Sequence, residues 1–146
     1  MKAIYTRLLK PLTKRLTKVH IWLYQKYDGK YLGEYKGIPV CLIKIKGRKS
    51  GLTRTIPLLT IPKNGDYILI ASNWGSFNHP LWYLNLVEEP TFEMKIGPKN
   101  FQMKAEEIFS KEKKELWPKI VDAYPGYQRY KHRTDRDIPV LVCKVI

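Results

Sequence analysis

The chain has 146 residues, 44% of them hydrophobic and 12% aromatic, which excludes intrinsic disorder and fits one domain around one sizeable core. Its 27 bases against 13 acids leave a formal charge of +14, which calls for a polyanionic partner: nucleic acid, an anionic membrane surface or a negatively charged cofactor. No apolar run approaches the ~20 residues of a spanning helix, and bases interrupt the N-terminal segment every few residues, so no secretory signal is read. The expected location is the cytoplasm.

Residues 1–27 carry seven bases and no acid, and form the first of two expected units. Pro11 argues against one unbroken helix and suits a helix start. Beyond it Leu12, Leu16, Val19 and Leu23 fall on one face, with Lys10, Lys14 and Lys18 on another. Such a basic amphipathic helix can lie on an anionic membrane, with Trp22 and Tyr24 at headgroup depth. It can equally pack its apolar face on its own domain.

Residues 28–146 form the second unit. Asp28-Gly29 and Gly33 mark a loop. IPVCLIKI (38–45) and TIPLLTI (55–61) read as strands, with Pro57 pointing to an edge or bulge. Asn64-Gly65-Asp66 is a hairpin turn that pairs YILIAS (67–72) antiparallel with the strand before it. HPLWYLNLV (79–87) reads as a short helix with Pro80 in its first turn. TFEMKI (91–96) and NFQMKAEEIF (100–109) flank a second hairpin turn, Gly97-Pro98-Lys99. Ser110 is the expected N-cap of the following helix, Pro118 starts a new helical segment, and Val140–Val145 supplies a last strand. The sum is a small antiparallel β-barrel with helices at its mouth.

The two cysteines, Cys41 and Cys143, sit in apolar runs and read as buried reduced thiols. His20, His79 and His132 are far apart, no CxxC or HExxH occurs, and no metal site is expected. The bases are spread along the chain without a nucleic-acid-binding motif, so nucleic acid is the least favoured polyanion.

Two stretches carry chemistry. GRKSGLTR (47–54) crowds Arg48, Lys49 and Arg54 around a turn, and the guanidinium forks, the ammonium and the Ser50 hydroxyl can hold a phosphate or carboxylate. A solvated basic turn is the plain alternative. ASNWGSFNHPLW (71–82) gathers small and polar groups before a helix start, with Trp74, Phe77, Trp82 and Tyr83 offering flat faces. Together they suit a planar ring system with a phosphorylated tail. In YPGYQRYKH (124–132), Tyr124, Tyr127 and Tyr130 recur at steps of three; on a helix they share one side. They either meet a substrate or cover the barrel mouth.

GRKSGLTRTIPL, the AS-x-x-G stretch followed by NHPLWYLNL, and AYPGYQRYKHRTDRDIPVLVC occur in this order. On these motifs the chain, from roughly residue 20 onward, resembles the deazaflavin-dependent nitroreductase family of split β-barrel oxidoreductases. The resemblance implies coenzyme F420, an 8-hydroxy-5-deazaflavin with a phosphate and an oligoglutamate tail; FMN or FAD is the alternative that related branches use. It implies that Arg48, Lys49, Ser50 and Arg54 hold the phosphate and tail. Pro57, Ser72, Asn73 and the backbone around Pro80, Leu81 and Trp82 would lie about the ring. Ser72, Tyr124, Tyr127 and Tyr130 would line the pocket of a quinone or nitroaromatic acceptor, the first drawn from the inner membrane face. The chain departs from the family pattern at Asn73, where a lysine is common, at bulky Trp74, and at Leu59, where an aromatic can stand.

Overall fold

The computed structural model describes the backbone of residues 2–146 and the side chains of residues 13–146. The elements run, in chain order, α1 (Lys2–Lys26), β1 (Glu34–Tyr35), β2 (Ile38–Lys46), β3 (Thr53–Leu59), β4 (Ile61–Lys63), β5 (Asp66–Ile70), α2 (Leu81–Glu88), β6 (Thr91–Ile96), β7 (Lys99–Ile108), α3 (Ser110–Ala123), α4 (Gly126–Arg133) and β8 (Val140–Val145). A single 3-10 turn spans Asn73–Gly75.

Alternation along the strands explains why residues on both faces of the sheet are buried. Cys41, Ile43 and Ile45 of β2 point to one side with Leu69, Met94, Met103, Leu141 and Cys143, and that side is the barrel interior. The other face of β5 and β8 sends Ile68, Ile70 and Val140 against Leu116 and Ile120 of α3 and the tyrosines of α4. A period of two thus buries both faces of the central strands. Cys41 and Cys143 are both free and buried.

All pairings are antiparallel, in the order β1-β2-β6-β7-β8-β5-β4, with β3 on the far side of β2. Consecutive β3 and β4 therefore lie at opposite ends of the sheet. They join at buried Thr60, whose N–H donates to Pro39 O (3.0 Å) and whose hydroxyl donates to Ile68 O (3.1 Å). That one residue ties β2 to β5 and curls the sheet into a half-barrel. The 55–61 strand thus breaks at Thr60, and Pro57 does sit on an edge strand. The Asn64-Gly65 turn joins Lys63 to Asp66 with both residues at positive φ, 51° and 84°, as a tight hairpin of this twist requires.

Helix starts are where expectation and structure part. α1 continues through Pro11 rather than beginning there; strong helix formers on both sides carry it across the missing donor. α3 is one helix through Pro118. Leu116 and Ile120 flank that proline and both reach the core, while Pro118 and Lys114 are exposed, so water can serve the orphaned carbonyl. Ser110 is no cap: its φ of 49° places it outside the extended region an N-cap needs, and Phe109 occupies that position. α2 begins at Leu81, with Pro80 as its cap rather than in its first turn.

α1 is anchored at its C-terminal end. Tyr24, 1% exposed, donates to Val40 O (2.7 Å) and accepts from the Gly97 N–H (2.9 Å), and Lys95 pairs with Asp28 at 2.8 Å. The face that packs is Ile21 and Tyr24, not the expected stripe, whose Leu16 and Val19 stay exposed. Lys10 and Leu12 lie outside the residues with described side chains. No helix among the described residues is long and apolar enough to cross a membrane.

Candidate active site

The cationic turn, residues 47–52, is closed by Gly47 N–H to Leu52 O and Gly51 N–H to Gly47 O, each 2.8 Å. Ser50 Oγ accepts from Leu52 N–H at 3.2 Å, leaving its O–H free to donate outward. Arg48 is fixed from outside the turn: its backbone N–H and its Nη1 both donate to Oδ1 of buried Asn85 on α2, at 3.0 and 3.2 Å. Between turn and helix lies a cavity of about 410 Å³ lined by Lys46, Arg48, Lys49, Ser50, Asn85, Glu88 and Glu89. Three bases face two carboxylates there, and Thr91 Oγ1 donates to Glu89 Oε1 at 2.7 Å. Arg54 stands exposed at the start of β3, outside that lining.

A second cavity, about 530 Å³, opens at the other end of α2. Pro57, Leu58 and Leu59 of β3 form one wall, and Pro80 and Trp82 at the start of α2 another. Ser72, Asn73 and Trp74 close a third side, and Tyr124, Tyr127 and Tyr130 a fourth. Of the residues expected around the ring and acceptor, Leu81, Phe77 and Tyr83 stay out of the lining: Leu81 and Phe77 are 70% and 88% exposed, and the Tyr83 hydroxyl donates to Glu107 instead. A largely apolar hollow of this size with a few convergent hydroxyls is built for a small-molecule ligand.

The tyrosines form one cluster, although Tyr124 caps α3 and only Tyr127 and Tyr130 belong to α4. Ring centroids lie 5.1 Å apart for Tyr124–Tyr127 and 6.2 Å for Tyr127–Tyr130, both near-perpendicular. The Tyr124 and Tyr130 hydroxyls share a hydrogen bond of 3.2 Å. Burial, above all, raises the Tyr127 and Tyr130 phenols, with the neighbouring tyrosines adding to it. Both therefore remain O–H donors at neutral pH.

The loop from Ala71 to His79 is held in a conformation its sequence resists. Asn73, Trp74 and Gly75 take φ values of 46°, 59° and 74° in succession, a run that side chains disfavour. Arg136 restrains it. Its guanidinium donates to Ser72 O (2.7 Å), Ala71 O (3.3 Å), Ser76 O (2.9 Å) and His79 Nδ1 (3.1 Å). Arg133 Nη1 donates to Trp74 O at 3.3 Å, and the Trp74 ring meets Tyr130 edge-on at 5.9 Å.

His79 accepts from Arg136, so its ring is neutral in this arrangement. Burial and then the Arg136 charge lower its pKa, against smaller opposing effects of Glu107 and Asp137. With the folded value below the unfolded one, the stability His79 contributes is complete above about pH 6.5 and declines as pH falls toward the depressed value. Thermal melts from pH 7 to pH 5 should show this decline, and His79→Gln should flatten that part of the curve; an unflattened curve would remove His79 from the account.

The sequence did not single out His20, Tyr35 or Arg136. His20 reaches the cavity from α1, with Nε2 2.9 Å from Leu32 O, and Tyr35 stands on the two-residue β1 against Tyr124. Their roles arise only when distant segments meet. Arg136 lies inside the quoted C-terminal motif, the one available signal.

A curled half-barrel with a cationic turn at one end of α2 and a largely apolar, hydroxyl-bearing hollow at the other is a split-barrel protein with two adjoining small-molecule sites. The model of the F420H(2)-dependent quinone reductase family matches residues 16–145. The chain belongs to that family. It is 32% identical over 133 residues to an F420H(2)-dependent quinone reductase of Mycobacterium tuberculosis, covering 88% of this chain and 89% of the relative. Among solved structures it is similar to an F420-H2 dependent reductase, FDR-A, at 37% identity and a TM-score of 0.66, over 73% of this chain and 94% of that one. A domain-swapped dimer matches at 32% identity and a TM-score of 0.67, over 95% of this chain and 98% of that one. Family membership implies coenzyme F420 as the cofactor, and nothing in these comparisons supports FMN or FAD.

Proposed function

We propose that the chain reduces a menaquinone-like quinone, with nitroaromatics as incidental acceptors, at an anionic membrane surface. The observation that carries this reading is that β2 and α2 each line both cavities, β2 through Lys46 beside the cationic turn and Val40 in the hollow. Asn85, beside the cationic turn, and Trp82, in the hollow, lie three residues apart on α2, about 4.5 Å along its axis. On β3, Arg54 and Pro57 are separated by roughly 10 Å. A carrier with a charged arm and a flat ring would span that distance.

Arg48, Lys49, Ser50 and Arg54 would hold the phosphate and tail carboxylates of F420 by charge-assisted hydrogen bonds. Pro57, Asn73, Pro80, Trp82 and the Leu81 backbone would seat the ring. When bound, reduced F420 supplies the hydride. The protein aligns the acceptor, excludes water with Trp82, Leu58 and Leu59, and meets developing negative charge on the quinone oxygen with O–H groups of Ser72 and Tyr130. Tyr124 and Tyr127 support Tyr130 through ring packing and the shared hydroxyl contact.

Mixing the protein with reduced F420 and a soluble quinone tests the reading directly. Quinone-dependent oxidation of F420H2, saturating in both reactants and exceeding the uncatalysed rate, is expected. Full oxidation only at the uncatalysed rate would overturn it. The membrane part is tested on the full chain with Leu16→Glu and Val19→Glu together. Those changes leave Tyr24 in place and should lower binding to phosphatidylglycerol vesicles.

A further inference from the structure

The mouth of the quinone hollow has two apolar lips. One is α1: His20 lines the hollow, and Leu16, one turn before it on the same face, is exposed with Val19 beside it. The other lip is the clamped loop. Trp74, which also lines the hollow, is 73% exposed, Phe77 is 88% exposed and Leu81 is 70% exposed. Exposed large apolar groups gathered beside one opening mark an interaction surface.

The loop that shows these side chains is restrained. Arg136 donates to two carbonyls before Trp74 and to Ser76 O, and Asn73 Nδ2 donates to Asn78 O at 2.9 Å. Its ordering therefore precedes any encounter, so little freedom remains to be lost on binding. Charge identifies the occupant. Residues 13–26 hold Lys14, Arg15, Lys18 and Lys26, and α4 behind the loop holds Arg129, Lys131 and Arg133, without an acid in either segment. Two such surfaces repel each other as copies of one chain but match an anionic headgroup layer.

The geometry points to the 74–81 loop as a second membrane-insertion element, with Phe77 its deepest group, that sets the mouth against the bilayer so that a lipid-soluble quinone enters without crossing water. This rests on the membrane-side quinone reading above and extends it from α1 to the opposite lip. Phe77 lines neither cavity, so its replacement separates docking from chemistry.

The test uses the full chain and its Phe77→Glu and Phe77→Ser variants, with phosphatidylglycerol vesicles containing menaquinone and, separately, a water-soluble quinone. Both variants should partition about tenfold or more weakly, the factor for losing one buried aromatic. They should reduce the embedded quinone correspondingly slowly, while turnover of the soluble quinone stays within about twofold. Parent-like vesicle binding by both variants, with binding lost in the Leu16→Glu, Val19→Glu protein, would overturn the loop's role and leave the α1 reading standing. Failure of the parent protein to bind vesicles would overturn both. A dimer of the parent protein that Phe77→Glu converts to a monomer would make the occupant a second copy and also overturn the inference.

Discussion

Replacing Arg48 and Lys49 together by alanine is expected to weaken F420 binding by about 3 kcal/mol or more, since the two proposed charge-assisted hydrogen bonds, roughly 1.5–3 kcal/mol each, would be removed. In a direct titration that is a loss on the order of a hundredfold or more. The two side chains differ in preparation. Arg48 is already aimed by Asn85 Oδ1, whereas Lys49 is exposed at the tip of the turn. Arg48→Ala should therefore account for the larger share, because a pre-oriented fork loses little freedom when an anion arrives. The variant should melt close to the parent, since Gly47 and Gly51 close the turn through backbone bonds alone. Affinity within twofold of the parent would show that the acidic arm lies elsewhere.

Gly75→Ala is expected to lower stability strongly. At φ 74° an alanine is strained, and its Cβ would stand 2.6 Å from Tyr130 O and 2.9 Å from Arg133 Cβ. The first of those neighbours is helix backbone and cannot step aside, so the loop must lift from α4. A cost of about 3 kcal/mol follows from strain and clash together, or a fall of roughly 6–12 °C in Tm for a chain of this size. Gly65→Ala is the matched control: φ is 84° but no atom lies within 4 Å of the added methyl, so only the backbone cost of about 1 kcal/mol remains. Quinone turnover should fall further in Gly75→Ala than its stability explains, because Trp74 leaves Tyr130. Equal melting shifts in the two variants would mean that the loop does not rest on α4.

The strands were legible because each depends on a local pattern. Val140–Val145 and the second hairpin follow from alternation bounded by turn residues, and the structure keeps those limits to within a residue or two, whereas at the first turn only Ile61–Lys63 pairs with β5 and the rest of the 55–61 run pairs with β2. The helix boundaries were less legible because prolines speak only for local cost. At Pro118 the burial of Leu116 and Ile120 outweighs a lost hydrogen bond on the solvent side. The exposed Leu16 and Val19 show the same limit from the other direction, since periodicity identifies an apolar stripe but not what covers it.

Much of the candidate site was readable as two separate clusters. The turn bases announced themselves by crowding, and the tyrosine steps of three placed the rings together even though one belongs to the preceding helix. The guanidinium of Arg136 could not be read as the restraint on residues 71–79, because its acceptors are main-chain carbonyls about sixty residues earlier. Such pairings leave no trace in residue type.

Thr60 joins two ribbons of chain that otherwise stand at opposite margins of the sheet. Pro57, Leu58 and Leu59, which wall the hollow, run straight into that seam. The shape of the hollow and the closure of the barrel are thus written on the same few residues. A change of bulk along that wall disturbs the seam, and enlargement of the hollow is freer on the side of the tyrosines.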